Sequence, residues 1–317
     1  MSGLLHRSAV AVLVCVILAG FSSAQVTPKA AASDVSSEAT RGLSLTEKGR
    51  CKEALLVLKK VTPRITDKQL RYHVAMATAR CAMSLDQEDT VVGALLWLKR
   101  EFPHDPEVLY ITTHYYSQLA ARASQELAAT APNSTQALQL EAEAFESQGK
   151  WDEAATQYKR ILEQNPQTPG IHYRLGRIWL SRPENPQNPV EARQEFEKEL
   201  KIDPASVSAE FMLGEIARQA GQWDEAINHF SKATQVDESF AEAFLALGVS
   251  LNSAGRFADA IPPLQSYVKM LPSDPAGHYQ LAVAYNRTGR KMEAAREMNL
   301  QREAAARSQQ EAQAPPR

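Results

Sequence analysis

Two stretches of the 317-residue chain, GKWDEAATQY (149–158) and GQWDEAINHF (221–230), are near copies of each other placed 72 residues apart. A reactive centre is needed once per domain, so a motif written twice points to architecture. Each position has a structural reason. Glycine after a helical stretch takes the left-handed conformation that ends a helix without steric cost. The acidic pairs Asp152–Glu153 and Asp224–Glu225 then fall in the first turn of a new helix, where its dipole favours negative charge. Ala154 and Ala226 permit close packing, and Tyr158 and Phe230 follow one turn later on the same face. The motif therefore ends one helix, starts its antiparallel partner and packs the two together.

The same grammar recurs along the chain. Ala154, Ala192, Ala226, Ala260 and Ala294 are spaced by 38, 34, 34 and 34 residues, and Gly221, Gly255 and Gly289 keep the period of 34. Gly42, Gly176, Gly214 and Gly248 form a second series, and Pro166, Pro204 and Pro272 close several units. Two helices per 34 residues is the signature of a stacked helical array. The stretches YRLGRIWL, FMLGEIARQAGQWDEAINHF, AFLALGVSLNSAGRFADAI and YQLAVAYNRTGRKMEAA resemble the tetratricopeptide repeat family residue by residue, most clearly over 135–308. The resemblance implies an all-α, right-handed α-solenoid of antiparallel helix pairs.

Division of the chain follows from the same ruler. GRCKEALLVLKK places a repeat over 35–68, and 69–134 reads as two degenerate repeats, its stretch from Val108 to Thr130 running as one helix without a turn signal. Five repeats fill 135–308, one widened by four residues at 181–189, where three prolines in SRPENPQNP forbid helix. Residues 309–317 read as a disordered tail and 25–34 as a polar, mobile linker. Residues 1–24 have a basic start, an apolar run of 14 residues and small residues Ser22 and Ala24 before Gln25. This is the pattern of a secretory signal peptide. The run is short of the roughly 20 residues of a spanning helix. The expectation is an exported protein, periplasmic or secreted, with no integral membrane span after cleavage. Its two remaining cysteines, Cys51 and Cys81, read either as a disulfide at one edge of the array or as two small buried hydrophobes.

Chemistry is sparse. The net charge of −2 gives no basic face for nucleic acid. No two of the seven histidines are four apart, and there is no phosphate loop, no G-x-G-x-x-G and no G-x-S-x-G elbow. Asn133–Ser134–Thr135 and Asn286–Arg287–Thr288 match the glycosylation triplet, the first better explained as a helix cap. No catalytic, cofactor or metal site is expected, and the chain reads as a binding protein, not an enzyme. The family resemblance implies a concave groove lined by the first helix of each unit. Its positions fall on Gln139, Tyr173, Phe211, Leu245 and Tyr279, on Glu143, Arg177 and Glu215, and on Arg218, Asn252 and Asn286. Aromatic and arginine side chains are enriched in binding hot spots. The alternative is that Tyr173, Phe211 and Tyr279 pack on neighbouring helices. The family's lysine–asparagine clamp for a terminal carboxylate is absent, since Gln139/Glu143 and Tyr173/Arg177 occupy its places. The expected partner is a protein or peptide held by a scaffold. The rival readings are an accessory subunit binding envelope glycan through those three rings, and self-association through repeat ends.

Overall fold

A computed structural model describes residues 28–182 and 185–313, with side chains described from residue 34 to residue 310. The proposed signal peptide lies outside the described residues. Among those described, every regular element is helical, and the chain divides at Ala123/Ser124 into two compact units. Each is an α-solenoid built from antiparallel pairs.

The first unit contains α1 (Pro28–Glu47), α2 (Cys51–Val61), α3 (Lys68–Ser84), α4 (Glu88–Glu101) and the start of α5 (Pro106–Thr130). Residues 28–34, read from sequence as a mobile linker, form the first turns of α1, in keeping with the helix-forming run Ala30–Ala32. Cys51, the first residue of α2, is disulfide-bonded to Cys81 in α3. α3 and α4 make one hairpin, and α5 is a single long helix, so 69–134 holds one pair and an unpaired helix in place of two pairs. Only the first half of α5 is buried, through Val108, Ile111, Thr112 and Tyr115. The Tyr72 hydroxyl donates to Asp105 and Glu107, and burial together with these carboxylates pushes it up to about 12.

The second unit alternates first and second helices: α6 (Thr135–Ser147), α7 (Trp151–Gln164), α8 (Ile171–Ser181), α9 (Asn188–Ile202), α10 (Val207–Gln219), α11 (Trp223–Val236), α12 (Ala241–Ser253), α13 (Phe257–Met270), α14 (Pro275–Arg287) and α15 (Lys291–Gln313). α15 carries helix through part of the stretch read as a disordered tail. Pro189, one of the three prolines expected to exclude helix, sits in the first turn of α9, where its missing N–H costs nothing. Ser134 caps α6 by accepting the Ala137 N–H. In four of the five pairs the left-handed residue between the helices is a glycine, Gly149, Gly221, Gly255 or Gly289, with φ from +70 to +81°. At Gly149 the Lys150 N–H reaches back to the Phe145 carbonyl at 2.9 Å and the Gly149 N–H to Glu146 at 3.0 Å, so the carbonyls ending α6 are satisfied before α7 begins.

Within each pair the second helix presses on a small residue of the first. A Cβ placed on Gly214 would lie 2.6 Å from the Phe230 ring, and one on Gly176 2.5 Å from Phe196. α9 also closes the entry to α8. The buried Glu199 carboxylate accepts the backbone N–H groups of Gly170 at 2.6 Å and Tyr173 at 3.1 Å. Glu199→Ala would leave both N–H groups unpaired. We expect a loss of about 2 kcal/mol in urea unfolding, with Glu199→Gln, which keeps an acceptor, losing less.

Candidate functional site: the inner helical face of the second unit

The first helices of successive pairs touch each other, α10 with α12 and α12 with α14, whereas the second helices do not come together to the same extent. Over α10, α12 and α14 the first-helix layer is therefore the inner one, and all eleven residues expected to line a groove lie on first helices.

Their environments differ. On α6, Gln139 Nε2 donates to Glu143 Oε1 at 3.2 Å, and Arg174 of α8 pairs with the same oxygen at 3.1 Å. Glu146 accepts the Tyr158 hydroxyl at 2.6 Å, and burial followed by that carboxylate raises the phenol well above its ordinary range. Tyr173 on α8 lies against Phe196, ring centroids 5.8 Å apart. Phe211 on α10 is half-buried between Phe230 at 5.5 Å and Phe240 at 4.9 Å. Glu215 and Arg218 pair with each other through two hydrogen bonds of 3.0 and 2.7 Å. Leu245 is packed against the core.

Three residues remain more open in character, and a fourth, Asn252, is engaged within the layer. Arg177 is exposed. Tyr279 on α14 is 49% exposed. Asn286 is exposed and accepts from Lys291 at 2.8 Å. Asn252 donates to the Gln280 carbonyl at 3.0 Å and its Oε1 at 3.1 Å, leaving its own Oδ1 buried without a partner. The face thus offers one half-free aromatic ring, a cation and amide groups. Those elements can hold a peptide backbone and one apolar side chain. Among the described residues no group of His, Cys, Asp and Glu is arranged to hold a metal.

One recurrent feature escaped sequence reading. His172 on α8 meets Glu195 on α9, Glu210 on α10 meets His229 on α11, and His278 on α14 meets Glu297 on α15, each Nδ1 to Oε2 at 2.6 Å. The three pairs occupy the same two registers, one residue before the aromatic position of the first helix and three after the alanine of the second. In the middle pair the histidine and glutamate have exchanged helices. Screening histidines for metal spacing could not find them, but aligning the units on their alanines does.

Comparison with known proteins agrees with this architecture. Residues 140–207 and 211–275 match the family described as Tetratricopeptide repeat, so the chain carries these repeats there. A crystal structure of the MamA protein superposes with a TM-score of 0.50 at 20% identity, covering 58% of this chain and 98% of that one. MamA 41-end from Desulfovibrio magneticus RS-1 gives 0.48 at 20% identity, covering 55% and 96%. YrrB, a TPR protein with an unusual peptide-binding site, gives 0.49 at 18% identity, covering 57% and 92%. Likeness at this identity speaks to the fold alone. No curated protein matches the chain.

Proposed function

We propose that these tetratricopeptide repeats form an exported scaffold that holds an extended peptide or partner helix on the inner face of α8, α10, α12 and α14. The observation that carries this reading is the presence of the exposed Arg177 and Asn286 and the half-exposed Tyr279 on one layer of helices. Amides and arginine suit a peptide backbone, and the half-exposed ring suits an apolar anchor. Export is supported by the signal-like residues 1–24 and by the Cys51–Cys81 bond, which is favoured in an oxidising compartment. Among the described residues no helix is long and apolar enough to cross a membrane. The glycan reading asked for three stacking rings. Tyr173 and Phe211 are in contact with the chain's own phenylalanines, which favours the peptide reading.

A photo-crosslinker placed at Arg177 or Tyr279, with one at the outer position Gln235 as a control, tests the proposal in the native envelope fraction. The expected result is a discrete adduct from the inner positions only, weakened about tenfold in yield by Tyr279→Ala in the Arg177-labelled chain, the loss of one hot-spot ring. Equal labelling from Gln235, or no adduct from either inner position, would remove the inner face as the working surface.

A further inference from the structure

A second binding surface lies in the first unit, on the opposite kind of helix. Between α2 and α4, with α3 as its floor, is a cavity of about 510 Å³, within the range of ligand pockets. We propose that this cleft between successive second helices is a docking site for a protein segment that presents an aspartate or glutamate side chain beside an apolar residue.

The central observation is Arg71. Its guanidinium lies over the Trp97 ring, 4.7 Å from the centroid, and its Nε is buried with no hydrogen-bond partner. Arg50, Arg64, Arg80, Arg100 and Arg122 in the same unit each face a carboxylate. A buried donor left unmade is costly, and such a group asks for an explanation. The contact with Trp97 holds the guanidinium in place at the cleft, and a guanidinium suits two-pronged pairing with a carboxylate.

The surroundings agree in charge. Lys59, Arg71 and Arg100 line the cleft, against the single carboxylate of Asp89. Lys59 is engaged only by the neutral Gln87 amide, at 2.9 Å. Shape agrees as well. Nothing lies within 4 Å of where a Cβ on Gly93 would stand, so that wall is open to an incoming side chain. Apolar surface extends past the cavity, with Leu96 on its rim 56% exposed and Leu56, one turn before Lys59 on α2, 75% exposed. That extension is longer than a free small anion would use, and it selects a protein segment as the occupant.

The test is fluorescence anisotropy on the full chain with two labelled, amidated ten-residue peptides of alternating leucine and serine, identical except for a central glutamate or glutamine. The glutamate peptide is expected to bind at least about tenfold more tightly, the difference a charge-assisted bond makes. Arg71→Gln should erase that preference, while Arg50→Gln should keep it. Leu96→Ser, an exposed change that leaves Arg71 in place, should weaken both peptides, and it keeps the proposal testable if Arg71→Gln perturbs folding. Equal affinity for the two peptides, no measurable binding of either, or a preference that survives Arg71→Gln would overturn the proposal. So would displacement of the glutamate peptide by free glutarate at equal concentration, because the site would then be one for small anions. This cleft and the inner face of the second unit share no residue, so failure of one reading leaves the other standing.

Discussion

Phe230→Ala is expected to cost about 3–5 kcal/mol in urea unfolding of the full chain, the range for removing a fully buried phenylalanine. Phe230 has no exposed surface, touches Phe211 and fills the space over Gly214. The reverse error, Gly214→Ala, drives a methyl into the ring and is expected to cost about 1–3 kcal/mol by overpacking. The informative variant is the double one. Other units meet the same contact with different pairs: Gly176 faces Phe196 and Gly248 faces Leu264, while Ala282 and Met298 occupy the same registers in the last unit. The first-helix residue and its partner thus vary together only loosely, since Ala142 and the fully buried Tyr158 hold the same registers in the α6–α7 pair. Gly214→Ala combined with Phe230→Leu should lose less than the sum of the two single changes, as expected of contacting residues. Strict additivity would show that helix crossing is set elsewhere.

Much of the fold was legible because its rules are local. The five helix-ending glycines Gly49, Gly149, Gly221, Gly255 and Gly289 all have positive φ, and the alanine ruler marks the second helices correctly. The first unit was harder to read for an identifiable reason. Its α3–α4 turn uses Asp86, with φ of +53°, where the α1–α2, α6–α7, α10–α11, α12–α13 and α14–α15 pairs use glycine. The Gln87 N–H still reaches the Ala82 carbonyl at 2.9 Å, the same closure seen at Gly149. Aspartate tolerates the left-handed region, so the geometry persists while the sequence signal vanishes.

The binding face was only half legible. Whether an aromatic residue on a first helix points to solvent or into packing depends on side chains 19 to 29 residues further on: Phe196 for Tyr173, and Phe230 and Phe240 for Phe211. A repeat position describes a register, not an exposure. Tyr279 differs because the corresponding place above Ala282 is held by the methionine register rather than by a phenylalanine ring. Arg71 was invisible for a related reason. Its meaning lies in what it fails to meet, and only the packing of α3 against α4 reveals that.

Removing the Cys51–Cys81 bond should produce the largest change in the first unit. The bond spans 30 residues and joins the first turn of α2 to α3, with Cα atoms 4.9 Å apart. In the chain-entropy account a loop of this length contributes about 3–4 kcal/mol by restricting the unfolded chain. The first unit has reason to depend on it, because the second half of α5 supplies no buried residue and packs on its core through the partly buried Leu119. Cys51→Ala/Cys81→Ala avoids leaving a free thiol, and alanine fills the buried site at Cys81 with little change in volume. Peptide-resolved hydrogen exchange is the suitable measurement, since repeat arrays open locally. Protection of amides in α2 and α3 should fall by about a hundredfold, the equivalent of roughly 3 kcal/mol, while α10 to α13 keep theirs. The same loss should follow when the native chain is reduced, and oxidation should restore it. If α2 and α3 stay protected in the doubly substituted chain, the buried cluster around Leu55, Leu58, Val74 and Cys81 holds the hairpin by itself, and the bond then carries no stability argument for folding in an oxidising compartment.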